Sequence, residues 1–214
     1  MSFDYNEKYF KKHFSGKYLA GPFYDQYIKI RNNAIKKEII KFVKGGKLLD
    51  VGFGDDNLIK IFKDNFEVFG IDISDFAVKK IQKKYKKNNF KVCDVSKDKI
   101  PFEEKFNVIC AINTIEHLEN PEKALENIYN SLRANSVFTI YLPTKTNFLS
   151  KIGYKLFYDV KEHIFRPSNN QLRKMLKEAG FKLVKECSAT FFPLKIKNKA
   201  IINSFNLYFC IVKK

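Results

Sequence analysis

The 214-residue sequence predicts an α/β fold built on a parallel sheet. Three observations carry that prediction. Strand-like and helix-like runs alternate from about residue 47 to 187, the order that βαβ units leave in a chain. An apolar strand runs straight into a Gly-x-Gly turn at Gly52 and Gly54, with a helix after it. The chain is also 45% apolar, enough to bury a full core without disulfides or a structural metal.

The elements follow in order. Residues 47–51 (KLLDV) read as a buried strand and residues 55–63 as the helix after it. Residues 67–71 (EVFGI) are the second strand. Ser74 is placed to cap the next helix, whose Ala77, Val78, Ile81 and Tyr85 form an apolar stripe with Lys79, Lys80, Lys83 and Lys84 outside it. Residues 90–93 and 106–112 are the third and fourth strands. Asn120 and Pro121 open a helix, with proline at its tolerated first position. Leu125, Ile128, Tyr129 and Leu132 share one face of it. Residues 136–142 are the fifth strand. Ser168 and Gln171 form a capping box; Leu172, Met175, Leu176 and Ala179 give that helix its apolar face, and Gly180 ends it. Residues 181–186 and 207–212 are the last strands.

Composition narrows the function classes. No apolar run approaches the roughly 20 residues of a membrane span, and MSFDYNEKYF has no apolar signal core, so a cytoplasmic protein is expected. Cys93, Cys110, Cys187 and Cys210 form no CxxC pair and sit in apolar runs, as buried free thiols do. The net charge of +17 would ordinarily suggest nucleic acid. Only Arg31, Arg133, Arg166 and Arg173 among 40 basic residues are arginine, however, and the lysines spread along nearly every helix. That pattern is a drift of the whole composition, and nucleic acid is not the favoured partner.

The chemistry concentrates in Asp50-Val51-Gly52-Phe53-Gly54-Asp55-Asp56. Ligands of open parallel sheets bind where strands end and helices begin, and the two glycines let the backbone turn sharply against one. A dinucleotide fits poorly. Asn57 stands at the third glycine of GxGxxG, and Asp50, Asp55 and Asp56 would repel a pyrophosphate. The same acids suit a ligand with a cationic end, such as the sulfonium and ammonium of S-adenosylmethionine. Asp72 ends the second strand 22 residues after Asp50, and Asp94 ends the third 22 residues after Asp72. One can accept ribose hydroxyls and the other the adenine amine.

With these residues the chain resembles the class I, Rossmann-like, S-adenosylmethionine-dependent methyltransferases over roughly residues 45–190. The segment from Asn107 through Asn113, Glu116 and His117 to Pro121 resembles the fourth-strand region of the small-molecule (type-11/type-12-like) subgroup, as do Leu142-Pro143, Glu162-His163-Ile164-Phe165 and Ser168 to Phe181. The resemblance implies a doubly wound, mostly parallel seven-stranded sheet with an antiparallel last strand under an N-terminal helical lid. Residues 1–214 are expected to form one domain: a helical cap (1–44), a cofactor-binding half (45–143), an aromatic-rich acceptor-side insertion (144–167), and a C-terminal helix with strands (168–214). It further implies that backbone at Gly52, Phe53, Gly54 and Asn113 contacts the methionine part of the cofactor. Asp50 joins that site, Asp72 binds ribose, and Ile73, Asp94 and Val95 surround the adenine. Asp56 replaces the third motif glycine and is expected to cap the helix. A metal-binding Glu-x-x-Glu-His set, as in ubiquinone-type O-methyltransferases, would need an acid where Asn113 stands, so no required metal is expected.

Methyl transfer from a sulfonium needs alignment above all, and a base when the nucleophile is a hydroxyl or ammonium. His117, after the fourth strand, and His163, after the insertion, are the expected catalytic residues; His13 is a weaker third. Tyr154, Phe157, Tyr158 and Phe165, with Tyr24 and Tyr27 from the lid, are candidates to line an acceptor pocket, and Arg31 to reach the cofactor carboxylate. The expected reaction is methylation of an oxygen or nitrogen of a small molecule in a glycan, lipid, quinone or secondary-metabolite pathway. The alternatives are an RNA or protein methyltransferase using the basic surface, or a cofactor-binding module without catalysis. The fourth strand ends Ala-Ile-Asn-Thr, which lacks the Pro-Pro-aromatic motif that stacks a flipped base.

Overall fold

The computed structural model describes residues 23–145, 148–157, 160–189, 195–196 and 207–214. The chain enters through helix α1 (Phe23–Ile39) and then alternates: β1 (Gly46–Val51), α2 (Asn57–Phe62), β2 (Phe66–Asp72), α3 (Asp75–Tyr85), β3 (Phe90–Val92), β4 (Phe106–Ile112), a 3-10 turn (Ile115–His117), α4 (Pro121–Ser131) and β5 (Leu132–Pro143). Helices α5 (Phe148–Phe157) and α6 (Asn169–Glu178) precede β6 (Lys182–Ala189), β7 (Lys195–Ile196) and β8 (Leu207–Lys213).

All these strands form one sheet in the order β3-β2-β1-β4-β5-β8-β6-β7. Strands β1 to β5 are mutually parallel, and β8 runs antiparallel between β5 and β6. The mixed sheet with its antiparallel last strand is therefore present. The two-residue β7 adds an eighth strand at the β6 edge that the sequence does not predict. Two residues carry no periodic pattern to read.

The sheet is buried on both sides, which is why its strands read as continuous apolar runs. Alternation in β1 sends Leu49 and Val51 to one core, with Ile71, Ile109, Ala111 and Phe138. Leu48 goes to the other, with Ile35, Ile39, Phe62 and Val108. Four expected features hold in detail. Ser74 accepts the N–H of Ala77 at 3.3 Å, Asn120 that of Lys123 at 2.9 Å, and Ser168 that of Gln171 at 3.1 Å. All four cysteines are buried thiols outside any disulfide. Among the described residues no helix is long and apolar enough to cross a membrane.

Two of the boundary shifts have a visible cause. Leu132 opens β5 opposite Phe106 instead of closing α4. It packs into the same core either way, so its spacing from Leu125 could not separate the two. Helix α2 starts at Asn57 instead of residue 55, because the Asp55 carboxylate turns back to accept the Asn57 N–H at 2.9 Å.

From β1 the chain works outward through β2 to β3, then crosses back to β4 on the other side of β1. The strand order reverses there, so the carboxyl ends of β1 and β4 flank the crevice where such sheets take ligands. Both predicted motifs lie at this edge.

Candidate active site

The glycine turn is clamped from two sides. The Gly52 N–H donates to the Ile71 carbonyl at 2.7 Å, and the Gly54 N–H to Asp72 Oδ2 at 2.8 Å. The other Asp72 oxygen accepts the Ser74 N–H at 2.9 Å. Gly52 and Gly54 have φ of 70° and 55°, left-handed values that suit glycine. From the β4 side, the Thr114 hydroxyl donates to the Val51 carbonyl at 2.8 Å. Thr114 thereby fills the space over Gly52: a Cβ there would lie 2.5 Å from Thr114 Cγ2. Asn113 holds the adjoining corner with φ of 54°, its N–H on the Tyr141 carbonyl at 2.7 Å.

Three acids gather around this turn. Asp50 is buried. Desolvation, then the Asp55 and Asp72 carboxylates, hold its carboxyl well above the ordinary value against the pull of Arg31. Burial also raises Asp72, opposed by its two backbone N–H donors, and raises Asp55. A cationic group entering here would favour the ionised acids.

Asp56 does not belong to this set. It precedes α2 but makes no capping bond, contrary to expectation. Its carboxylate turns to Lys60 at 2.9 Å, to Tyr85 at 2.9 Å, and to Lys84. Although desolvation works against it, hydrogen bonds from Lys84, Lys60 and Tyr85 bring its pKa down to about 2. The residue replacing the third glycine is an ion-pair anchor between α2 and α3, with its charge spent on lysines.

The remaining predicted cofactor residues follow the ends of β1, β2 and β3. Ile73 is 46% exposed, unusual for an isoleucine beside a core. The Phe53 and Val95 side chains are buried, with Phe53 edge-on to Phe90 at 5.7 Å. Asp94 accepts both the N–H and the hydroxyl of Ser96, at 3.0 and 2.6 Å, and pairs with Lys97 at 3.1 Å. The loop it opens is tied to α4 by Asn127, whose amide donates to the Val95 and Asp98 carbonyls at 3.0 and 2.8 Å.

A second group sits just past β4. The segment after α5 folds onto the 3-10 turn: the Phe165 N–H donates to the Glu116 carbonyl at 2.9 Å, and His117 Nδ1 to the Glu162 carbonyl at 2.9 Å. This brings His117 and His163, 46 positions apart in the chain, to a ring-centroid distance of 4.8 Å. Tyr154 from α5 bonds His163 Nδ1 through its hydroxyl at 3.0 Å. Glu116 lies beneath them, fully buried, and both its carboxylate oxygens lack a hydrogen-bond partner. Burial lifts its pKa to about 8, opposed by its own nearby backbone N–H, which does not reach hydrogen-bond geometry, and by Arg31.

Helix α1 supplies the lid side. Tyr27 and Tyr141 share a hydrogen bond at 2.9 Å, and the Arg31 guanidinium lies 5.3 Å from the Tyr141 ring centre. The Arg31 charge acts on Asp50, Asp55 and Glu116 alike. The sequence ranks Arg31 low, reads Glu116 only as part of an incomplete metal set, and passes over Thr114. Only the Thr-x-Glu-His spacing after an apolar strand could have marked the last two. His13 and Tyr158 lie outside the described residues.

The sequence matches the family of methyltransferase domains over residues 27–186. The chain belongs to that methyltransferase family. No curated protein matches it. Among solved structures it resembles an S-adenosylmethionine-dependent methyltransferase from Clostridium acetobutylicum, with TM-score 0.67 and 14% identity over 96% of both chains. A TehB-like methyltransferase from Corynebacterium glutamicum gives TM-score 0.62 and 18% identity over 88% of both chains. The magnesium protoporphyrin IX methyltransferase of Synechocystis, solved with bound S-adenosylhomocysteine, gives TM-score 0.61 and 13% identity over 89% of this chain and 84% of the other. Such identities establish a shared fold. The residues gathered at the strand ends fit S-adenosylmethionine as the methyl donor: buried carboxylates, an acid at each of the first three strand ends, and an uncovered isoleucine for a flat ring.

Proposed function

We propose that the protein transfers the methyl group of S-adenosylmethionine to an oxygen or nitrogen of a small-molecule acceptor, such as a sugar, a lipid or quinone precursor, or a secondary metabolite. The observation that carries this reading is the Glu116, His117, His163 and Tyr154 group, which begins two residues beyond the Thr114 that packs on the glycine turn. Polar chemistry thus stands beside the cofactor crevice.

The bound cofactor supplies an activated methyl on a positively charged sulfur. In our reading the chain aligns the partners. Asp50 and the backbone at Gly52, Phe53, Gly54 and Asn113 hold the methionine part. Asp72 keeps a second lone pair on each oxygen for ribose hydroxyls. Asp94 takes the adenine amine, with Ile73 and Val95 beside the ring. His163 and His117 face the acceptor, and one of them takes its proton as the methyl passes from the sulfonium sulfur, which leaves as the neutral thioether.

Calorimetric titration with S-adenosylmethionine and S-adenosylhomocysteine, with NAD as control, tests the donor half. One equivalent binding at micromolar affinity, with none for NAD, is expected; failure of both sulfur ligands to bind would overturn the reading. For the acceptor half, transfer of labelled methyl to small-molecule acceptors is expected to fall in His163→Ala while cofactor affinity stays unchanged. Binding to RNA that weakens steeply with salt, with methyl transferred to it, would favour the basic-surface alternative.

Asp50 adds a pH signature. Its carboxyl is raised in the folded protein, and a cationic ligand favours the ionised form. Binding should therefore release protons, and affinity should rise with pH through the Asp50 titration. Calorimetry in two buffers of different ionisation enthalpy reads the release directly, and Asp50→Asn is expected to abolish it.

A further inference from the structure

We infer that Glu116, His117 and His163 form a binding site for one divalent first-row transition-metal ion. One carboxylate oxygen of Glu116 and one ring nitrogen from each histidine lie within 4.8 Å of one another. Ligands at about 2.0–2.2 Å from an ion lie about 3–4 Å apart, so a small side-chain adjustment closes the set.

Two independent features point to a cation. The first is Glu116. Its side chain is fully buried, and neither oxygen has a hydrogen-bond partner. Buried carboxylates are normally paired, hydrogen-bonded or coordinated to metal. Arg31 acts on it only at a distance, and both histidines stand within ligand reach without bonding to it.

The second feature is the orientation of the histidines. A carbonyl oxygen can only accept, so the bond from His117 Nδ1 to the Glu162 carbonyl places the proton on Nδ1. In the neutral ring Nε2 then carries the lone pair a metal needs. His163 Nδ1 is likewise engaged, by the Tyr154 hydroxyl at 3.0 Å. Ring nitrogens anchored on a backbone carbonyl and a hydroxyl are how protein scaffolds hold and orient metal-binding histidines. Tyr154 is itself fully buried, so this support is rigid.

Two histidines and a carboxylate suit zinc, iron, cobalt or manganese better than calcium or magnesium. Three protein ligands also leave coordination positions open, and an acceptor entering one would do so through oxygen; with the ion bound the two imidazoles serve as ligands, and the ion's acidification of that oxygen replaces their role as proton acceptors. On the methyl-transfer reading proposed above, this selects acceptors bearing a hydroxyl. The expectation of no metal, based on Asn113, considered only the residues near 116 in sequence. His163 arrives from the insertion and completes a different set.

The test uses the full chain, stripped with a chelator and titrated with Co(II) while visible absorption is followed. The expected result is a saturable signal at one equivalent, with affinity lowered at least about tenfold in Glu116→Gln and in His163→Ala. Binding of S-adenosylhomocysteine and the melting curve, measured in parallel, are expected to be retained in Glu116→Gln, which preserves the side-chain shape. Absence of a one-equivalent signal, or a signal equally strong in both variants, overturns the site. If the wild-type chain binds cofactor but no cobalt, the metal site fails alone. If it binds cobalt but no cofactor, the methyl-transfer reading fails while the site stands.

Discussion

Replacing Asp72 with alanine is expected to lower affinity for S-adenosylhomocysteine at least about 100-fold and to lower the melting temperature as well. Two contributions add. The carboxylate accepts the Gly54 and Ser74 N–H groups at 2.8 and 2.9 Å in a buried setting. Alanine orphans both donors, at about 1–3 kcal/mol each. On the proposed reading it also removes the acceptor for both ribose hydroxyls, two charged hydrogen bonds of about 1.5–3 kcal/mol each in binding. Asparagine keeps one acceptor oxygen but points an amide N–H at a backbone N–H, so Asp72→Asn should be intermediate. Calorimetry and thermal melting separate the two contributions. Unchanged affinity in a destabilised Asp72→Ala would leave Asp72 a turn anchor only and remove its ribose role.

The second large effect is expected at Gly52. Alanine there must adopt φ near 70° and place its Cβ 2.5 Å from Thr114 Cγ2 and 2.7 Å from Thr114 Oγ1. The left-handed backbone costs about 1–2 kcal/mol. The collision adds to this, because Thr114 is itself held by the Val51 carbonyl. Gly52→Ala should therefore lower stability by about 2–4 kcal/mol and weaken cofactor binding at least tenfold, as the turn moves out of register. A double-mutant cycle gives a sharper check. Thr114→Ala alone is mildly destabilising, but in the Gly52→Ala background it should recover part of the loss by removing the clash, leaving the φ cost. Additive losses in denaturant unfolding would show that Thr114 does not limit the space over Gly52.

How much of the site was legible depended on the distance over which each contact forms. The acids at the ends of β1, β2 and β3 stand in a row because each βα unit returns the chain to the same sheet edge. Asp50, Asp72 and Asp94 could therefore be found by counting. The clamp of Asp72 on Gly54 follows from parallel pairing of β1 with β2, which puts Val51 beside Ile71. Asp56 was misjudged because its partners Lys84 and Tyr85 arrive from α3, and nothing around residue 56 marks them.

The sequence by itself determined the alternation of strand and helix, the three side-chain caps, the glycine turn and the family. All of these rest on contacts between residues close in the chain, or on a repeat that the topology preserves. The tertiary structure alone decided that His163 meets Glu116 and His117, that Tyr154 orients it, and that Arg31 lies among the acids. These meetings depend on how the insertion and α1 fold back over the strand ends. The bonds from Phe165 to the Glu116 carbonyl and from His117 to the Glu162 carbonyl set that path, and backbone carbonyls carry no residue identity that a sequence could display.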